Sequence, residues 1–184
     1  MNIYTLTNNH FSSCGDKYKK KSDNSESISS LIAYTLKHSQ CIKIGTLIEN
    51  LLRQYICCHE HIQNLKDKNI KGKKERDHLF MCRGKKVYAE LKSNLSLDTE
   101  KRKATARKVK LISEEEACDG YLVGLRYYSG DVPSDVKSRF PGTRVISLSQ
   151  YLNLLEIECP FGGVEMGYKI WLNQVARELI RLEE

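Results

Sequence analysis

The stretch Asp77-His-Leu-Phe-Met-Cys-Arg-Gly-Lys-Lys-Val-Tyr-Ala-Glu90-Leu-Lys92 constrains this chain more than any other. Runs with branched and aromatic residues flank Arg83-Gly84, a dipeptide suited to a tight turn, so the segment reads as a strand over 77–82 and a second over 85–92. An acid, Asp77, opens the first strand, and Glu90 and Lys92 close the second. Side chains alternate along a strand, so Glu90 and Lys92 project from one face and Leu91 from the other. Paired strands lie about 5 Å apart, which lets Asp77 and Glu90 converge on one ion if both point the same way.

That arrangement suits phosphodiester hydrolysis, which needs a positioned water, a cation near the developing charge and a stabilised leaving oxygen. Magnesium favours one or two carboxylates with several retained waters. Asp77 and Glu90 are the expected metal pair, the backbone carbonyl of Leu91 is a further candidate ligand, and Lys92 places an ammonium beside the attacking water. Mg²⁺ is the expected cofactor, with Mn²⁺ as its substitute. An acid-x-lysine triplet is cheap in a chain with 29% charged residues, and Asp135-Val-Lys137 is a second copy. That copy lies in a loop with Pro133 and Pro141 and has no strand to fix it. The alternative for the first copy is a surface strand whose Glu and Lys only solubilise it. Its strand context and the preceding Asp77 favour the metal site.

The 184 residues fit one domain behind a polar N-terminal arm, with boundaries at 1–26 and 27–184. The net charge of +7 favours polyanion partners, whose condensed counterions are released on contact. No apolar run reaches the roughly 18–20 residues of a membrane span, and Met1–His10 lacks the pattern of a secretory signal. A cytoplasmic protein is expected. The seven cysteines are odd in number and include no C-x-x-C pair, so free thiols are expected over disulfides or structural zinc. Cys57-Cys58-His59-Glu60-His61 lacks metal-ligand spacing on one helical face and reads as a helix end.

Residues 12–27, with Lys19-Lys20-Lys21, read as a solvated arm or loop. Ser27–Lys37 reads as a first helix, and Ile44–Cys58 as a second, with Ile44, Leu47, Ile48, Leu51, Leu52, Tyr55 and Ile56 in one stripe. Residues 64–74 read as a lysine-rich loop or frayed helix end. After the hairpin come a turn at 94–98, a basic helix over 100–110, a strand over 120–128, a loop over 129–142, a strand over 143–148 and a short helix over 149–155. Gly162-Gly163 precedes a closing helix over 165–183 whose apolar face holds Ile170, Trp171, Val175, Leu179 and Ile180. The pattern predicts an α/β domain around a small mixed sheet.

Asp77…Glu90-Leu-Lys92 resembles the PD-(D/E)xK nuclease pattern, with Arg76 in the place of the often absent proline. The following run, from Ser93 to Thr105, looks like type II restriction endonucleases, where the strand leads into a basic helix. The resemblance covers about residues 44–148. It implies a restriction-endonuclease-like αβββαβ core, a central mixed sheet of about four to five strands flanked by helices, Mg²⁺ dependence and 5′-phosphate products. It also implies an acid on an early helix, for which Glu49 is the candidate catalytic and metal-binding residue. The competing reading of Glu49 is a boundary glutamate paired with Arg53 at i+4. Lys101, Arg102, Lys103, Arg107 and Lys108 are the expected track for double-stranded DNA. The catalytic core takes most of the chain, so a small cleavage subunit of a heterodimeric type IIS enzyme, relying on a larger recognition subunit, is expected. The alternatives are a self-dimer on DNA, a repair or recombination nuclease, a nuclease acting on RNA, and a non-catalytic DNA-binding or assembly subunit.

Overall fold

The computed structural model describes residues 1–13, 31–66 and 75–183. The chain divides into two compact units, Met1–Cys58 with Glu158–Glu184, and His59–Ile157. Among the described residues no helix is long and apolar enough to cross a membrane.

The first unit packs α1 (Ile3–Ser13), α2 (His38–Ile56) and α6 (Glu165–Glu183) on one another. The polar arm expected over 1–26 is thus a helix in its first part, because Ile3, Leu6 and Phe11 fall on one face and are buried. The Lys19–Lys21 run lies outside the described residues. The helix expected over Ser27–Lys37 is not continuous there: residues 32–37 are bends and coil, and 27–30 are not described. α2 begins earlier than its apolar stripe suggests, because Gln40 Oε1 accepts the N–H of Lys37 at 2.8 Å and closes the first turn. The stripe itself is buried as expected. In α6, Trp171, Val175 and Leu179 are buried but Ile170 is exposed, so the packed face is centred away from it. The Trp171 indole N–H donates to Thr7 Oγ1 at 2.9 Å and satisfies the one polar atom of a buried ring.

The second unit is a five-stranded mixed sheet whose spatial order follows the chain, β1 (Ile62–Asn64), β2 (His78–Cys82), β3 (Lys85–Lys92), β4 (Asp119–Gly124) and β5 (Arg144–Ser147). β1–β2 and β2–β3 are antiparallel, and β3–β4 and β4–β5 are parallel. Arg83 (φ 44°) and Gly84 (φ 78°) both take the left-handed conformation that a two-residue hairpin turn requires. α3 (Thr99–Glu116) is the crossover from β3 to β4. It starts at Asp98, whose carboxylate accepts the N–H of Lys101 at 2.8 Å and caps the first turn. Val109 and Ile112 pack on Leu79 and Tyr88, which places α3 on one face of the hairpin. α5 (Leu148–Leu154) lies on the other face, where the Tyr151 hydroxyl is 3.1 Å from Nδ1 of buried His78. The expected loop 129–142 contains a short helix, α4 (Ser134–Lys137), held by Val136 and Phe140 in a cluster with Leu122 and Val145.

Candidate active site

The hairpin register pairs His78 with Ala89 and Leu79 with Tyr88. Continued by one residue, it sets Asp77 opposite Glu90. Residues directly opposite in an antiparallel pair point to the same face. Asp77, Tyr88, Glu90 and Lys92 therefore share the face that α3 covers, while Leu91 points to the other and is buried.

Both acids are buried, with Glu90 at 1% and Asp77 at 7% exposure. Each oxygen of the two carboxylates is engaged. Glu90 Oε1 accepts from Lys92 Nζ at 2.6 Å. Glu90 Oε2 accepts from the Tyr88 hydroxyl at 2.7 Å and pairs with Lys108 Nζ at 2.5 Å. Asp77 Oδ2 accepts the backbone N–H of Leu91 at 2.9 Å, and Oδ1 lies 3.5 Å from Lys108 Nζ. Leu91 thus enters the centre through its N–H, fixing the rotamer of Asp77. A buried carboxylate without partners would take up a proton. Burial does push the Glu90 carboxyl up, but Lys92 and Lys108, through charge and hydrogen bonds, outweigh it and hold it below the usual glutamate range. Burial pushes Lys108 down, and the charges of Asp77 and Glu90 more than reverse that, leaving it above the usual lysine value. The Tyr88 hydroxyl is pushed far up by burial, then by the Glu90 charge beside it, so it serves as a donor.

The far end of α3 is fastened to the same hairpin. Arg76 Nη2 pairs with Glu116 at 2.5 Å, and Lys86 Nζ pairs with Glu116 at 2.6 Å. Arg76, which stands where the family pattern has proline, therefore ties the start of β2 to α3. Lys108 lies between these anchors and the cap at Asp98.

No family model, curated protein or solved structure matches the chain. Among the described residues, no group of three or more His, Cys, Asp or Glu is placed to hold a metal ion. The carboxylates available to a metal are the Asp77–Glu90 pair, which converge on a single ammonium, Lys108 Nζ.

The remaining expected residues fall in different places. Glu49 belongs to the helical unit, on α2, and Arg53 Nη1 pairs with it at 3.2 Å, the boundary-glutamate arrangement. Lys101, Lys103 and Arg107 are exposed on α3, while Arg102 is half-buried and donates to Thr99 Oγ1 at 3.0 Å. Lys108, expected on the outer phosphate track, is instead turned into the acid pair. The signal for it was present: Thr105, Val109 and Ile112 are the buried positions of α3, and 105, 108, 109 and 112 form one helical stripe. A lysine on an apolar stripe calls for an acidic partner. The second acid-x-lysine copy is dispersed, with Asp135 pairing Arg139 and Lys137 pairing Asp131. Cys57 and Cys58 follow the end of α2, as a helix-end reading requires.

Proposed function

We propose that this chain is a Mg²⁺-dependent endonuclease that hydrolyses phosphodiester bonds of double-stranded DNA on a restriction-endonuclease-like PD-(D/E)xK core. The observation that carries the reading is the buried Asp77–Glu90 pair converging on one cation, with Lys92 at its outer edge. The element order α2, β1, β2, β3, α3, β4 supports it, because it is the αβββαβ order that the motif implies.

Asp77 and Glu90 would hold the metal, with the Leu91 carbonyl as a further ligand. Bound there, Mg²⁺ supplies the charge that draws electron density from the scissile phosphoryl group. Tyr88 and the Leu91 N–H lock the two carboxylates before substrate arrives, so no reorganisation is needed at the moment of reaction. Lys92, a third exposed and 2.6 Å from Glu90, offers an N–H to orient the attacking water and a charge to offset the oxyanion. The exposed Lys101, Lys103 and Arg107 supply phosphate contacts that position the duplex without reading its bases. The chain acts as a cleavage subunit that nicks one strand and takes its site choice from a larger partner.

The test is supercoiled plasmid with Mg²⁺ and purified chain. Nicked circles are expected from the native protein and none from folded Glu90→Gln or Lys92→Ala. Undiminished nicking by both variants removes the reading. Site-specific linear product from the chain alone would remove the cleavage-subunit version and leave a self-sufficient nuclease.

A further inference from the structure

We infer that Lys108 is a built-in counter-ion of the acid pair, standing where a divalent cation binds and having to leave before that cation enters. The inference rests on the metal-site reading of Asp77 and Glu90 given above. Lys108 Nζ is 2.5 Å from Glu90 Oε2 and 3.5 Å from Asp77 Oδ1. Magnesium sits about 2.0–2.1 Å from each oxygen ligand, so the space between these two oxygens cannot hold both the ammonium and the metal. Charge leads to the same result. Asp77 and Glu90 balance Lys92 and Lys108, and a divalent cation added with both lysines in place would leave two surplus positive charges against buried carboxylates. Lys92 is not equivalent, because it reaches only Glu90 Oε1 on the other side. Lys108 spans both acids, and its side chain is 22% exposed, so a rotamer change can carry the ammonium to water. The buried neighbours Thr105, Val109 and Ile112 keep α3 in place while only the side chain moves.

Mn²⁺ binding to the full chain, read by the electron paramagnetic resonance of free Mn²⁺, tests this without reference to activity. Lys108→Met should bind Mn²⁺ about tenfold tighter or more, the equivalent of one charge-assisted hydrogen bond no longer broken on entry. Lys108→Arg, which keeps a cation, should stay near the native affinity. On the native protein, acetylation of lysines mapped by mass spectrometry should show Lys108 labelling rise several-fold at saturating Mn²⁺. This second measurement decides the matter if the methionine variant does not fold. Native-like or weaker binding by folded Lys108→Met, or Lys108 labelling unchanged with Mn²⁺ bound, overturns the counter-ion role and leaves the metal site standing. Absence of Mn²⁺ binding by both native and variant chains overturns the metal site and the counter-ion role together.

Discussion

Replacing Glu90 with glutamine keeps the size of the side chain and removes its charge. Both lysine contacts of Glu90 then lose their ionic partner. Plasmid nicking by Glu90→Gln is expected to fall by at least about 10²–10³, the scale seen when one preorganised electrostatic group is lost. Tyr88→Phe is a gentler probe. It deletes the buried hydroxyl that donates to Glu90 Oε2 and leaves the ring in its packing against α3. Urea denaturation should show a loss of about 1–2 kcal/mol, with nicking reduced but present; a loss within error would mean that Lys92 and Lys108 fix the carboxylate without the hydroxyl. Glu90 and Lys92 were legible together because period-two alternation is fixed by the strand; Tyr88 follows the same alternation but carried no charge to mark it. Lys108 was not legible, because its partner acids lie far from it in the chain, on the hairpin, and a basic helix offers several lysines of similar local setting. Only the helical phase of Thr105, Val109 and Ile112 singles it out.

Elements are held by their ends as much as by their faces. Glu116, at the end of α3, receives Lys86 and Arg76. The hydrogen bond from Lys86, with the Arg76 charge working against burial, holds its carboxyl below the usual glutamate range. A carboxylate with a lowered folded-state value adds stability above its unfolded value, near pH 4.3, and loses that contribution as pH falls through the folded value. Glu116→Gln should therefore lower stability by about 1 kcal/mol at pH 7, and native and variant urea midpoints should merge in acid; an equal gap at both pH values would deny the ion pairs their role. In α6, a Cβ on Gly167 would meet the backbone oxygen of Phe161 at 2.2 Å. Gly167→Ala forces the chain before α6 to shift and should cost about 1–3 kcal/mol, read as a drop in thermal midpoint. The closing helix, the hairpin and α5 were legible because each has a dense apolar or turn signal of its own. α1 was not, since Asn and Thr dilute Ile3, Leu6 and Phe11 until the segment reads as polar. β1 was not, because a strand of three residues exists through its pairing with β2. α3 extends beyond its basic run because Glu114, Glu115 and Glu116 continue the helix to a left-handed cap at Ala117.

At the scale of the whole molecule, the +7 charge predicts salt-sensitive, sequence-independent attraction to duplex DNA. Neutralising two or three phosphates gives a slope of log affinity against log salt of about −2 to −3 for B-form DNA. Fluorescence anisotropy on unrelated duplexes between low and physiological salt should give that slope with little dependence on sequence; a flat response would detach the basic face of α3 from phosphate binding. The sheet carries a different consequence. Its spatial strand order is the chain order, and β2 and β3 are joined by a two-residue turn. Such hairpins close in about 1–10 μs, whereas the parallel pairing of β3 with β4 must wait for the whole α3 crossover to close a longer loop. Asp77 and Glu90 therefore meet early in folding, side by side and without the ammonium of Lys108. For that interval Lys92, on the hairpin itself, is the one lysine of the pair at hand to offset the two like charges, and folding should quicken in mild acid or with a divalent cation in the refolding buffer. Stopped-flow refolding rates compared with those of Glu90→Gln would show whether the acid pair sets the pace of assembly.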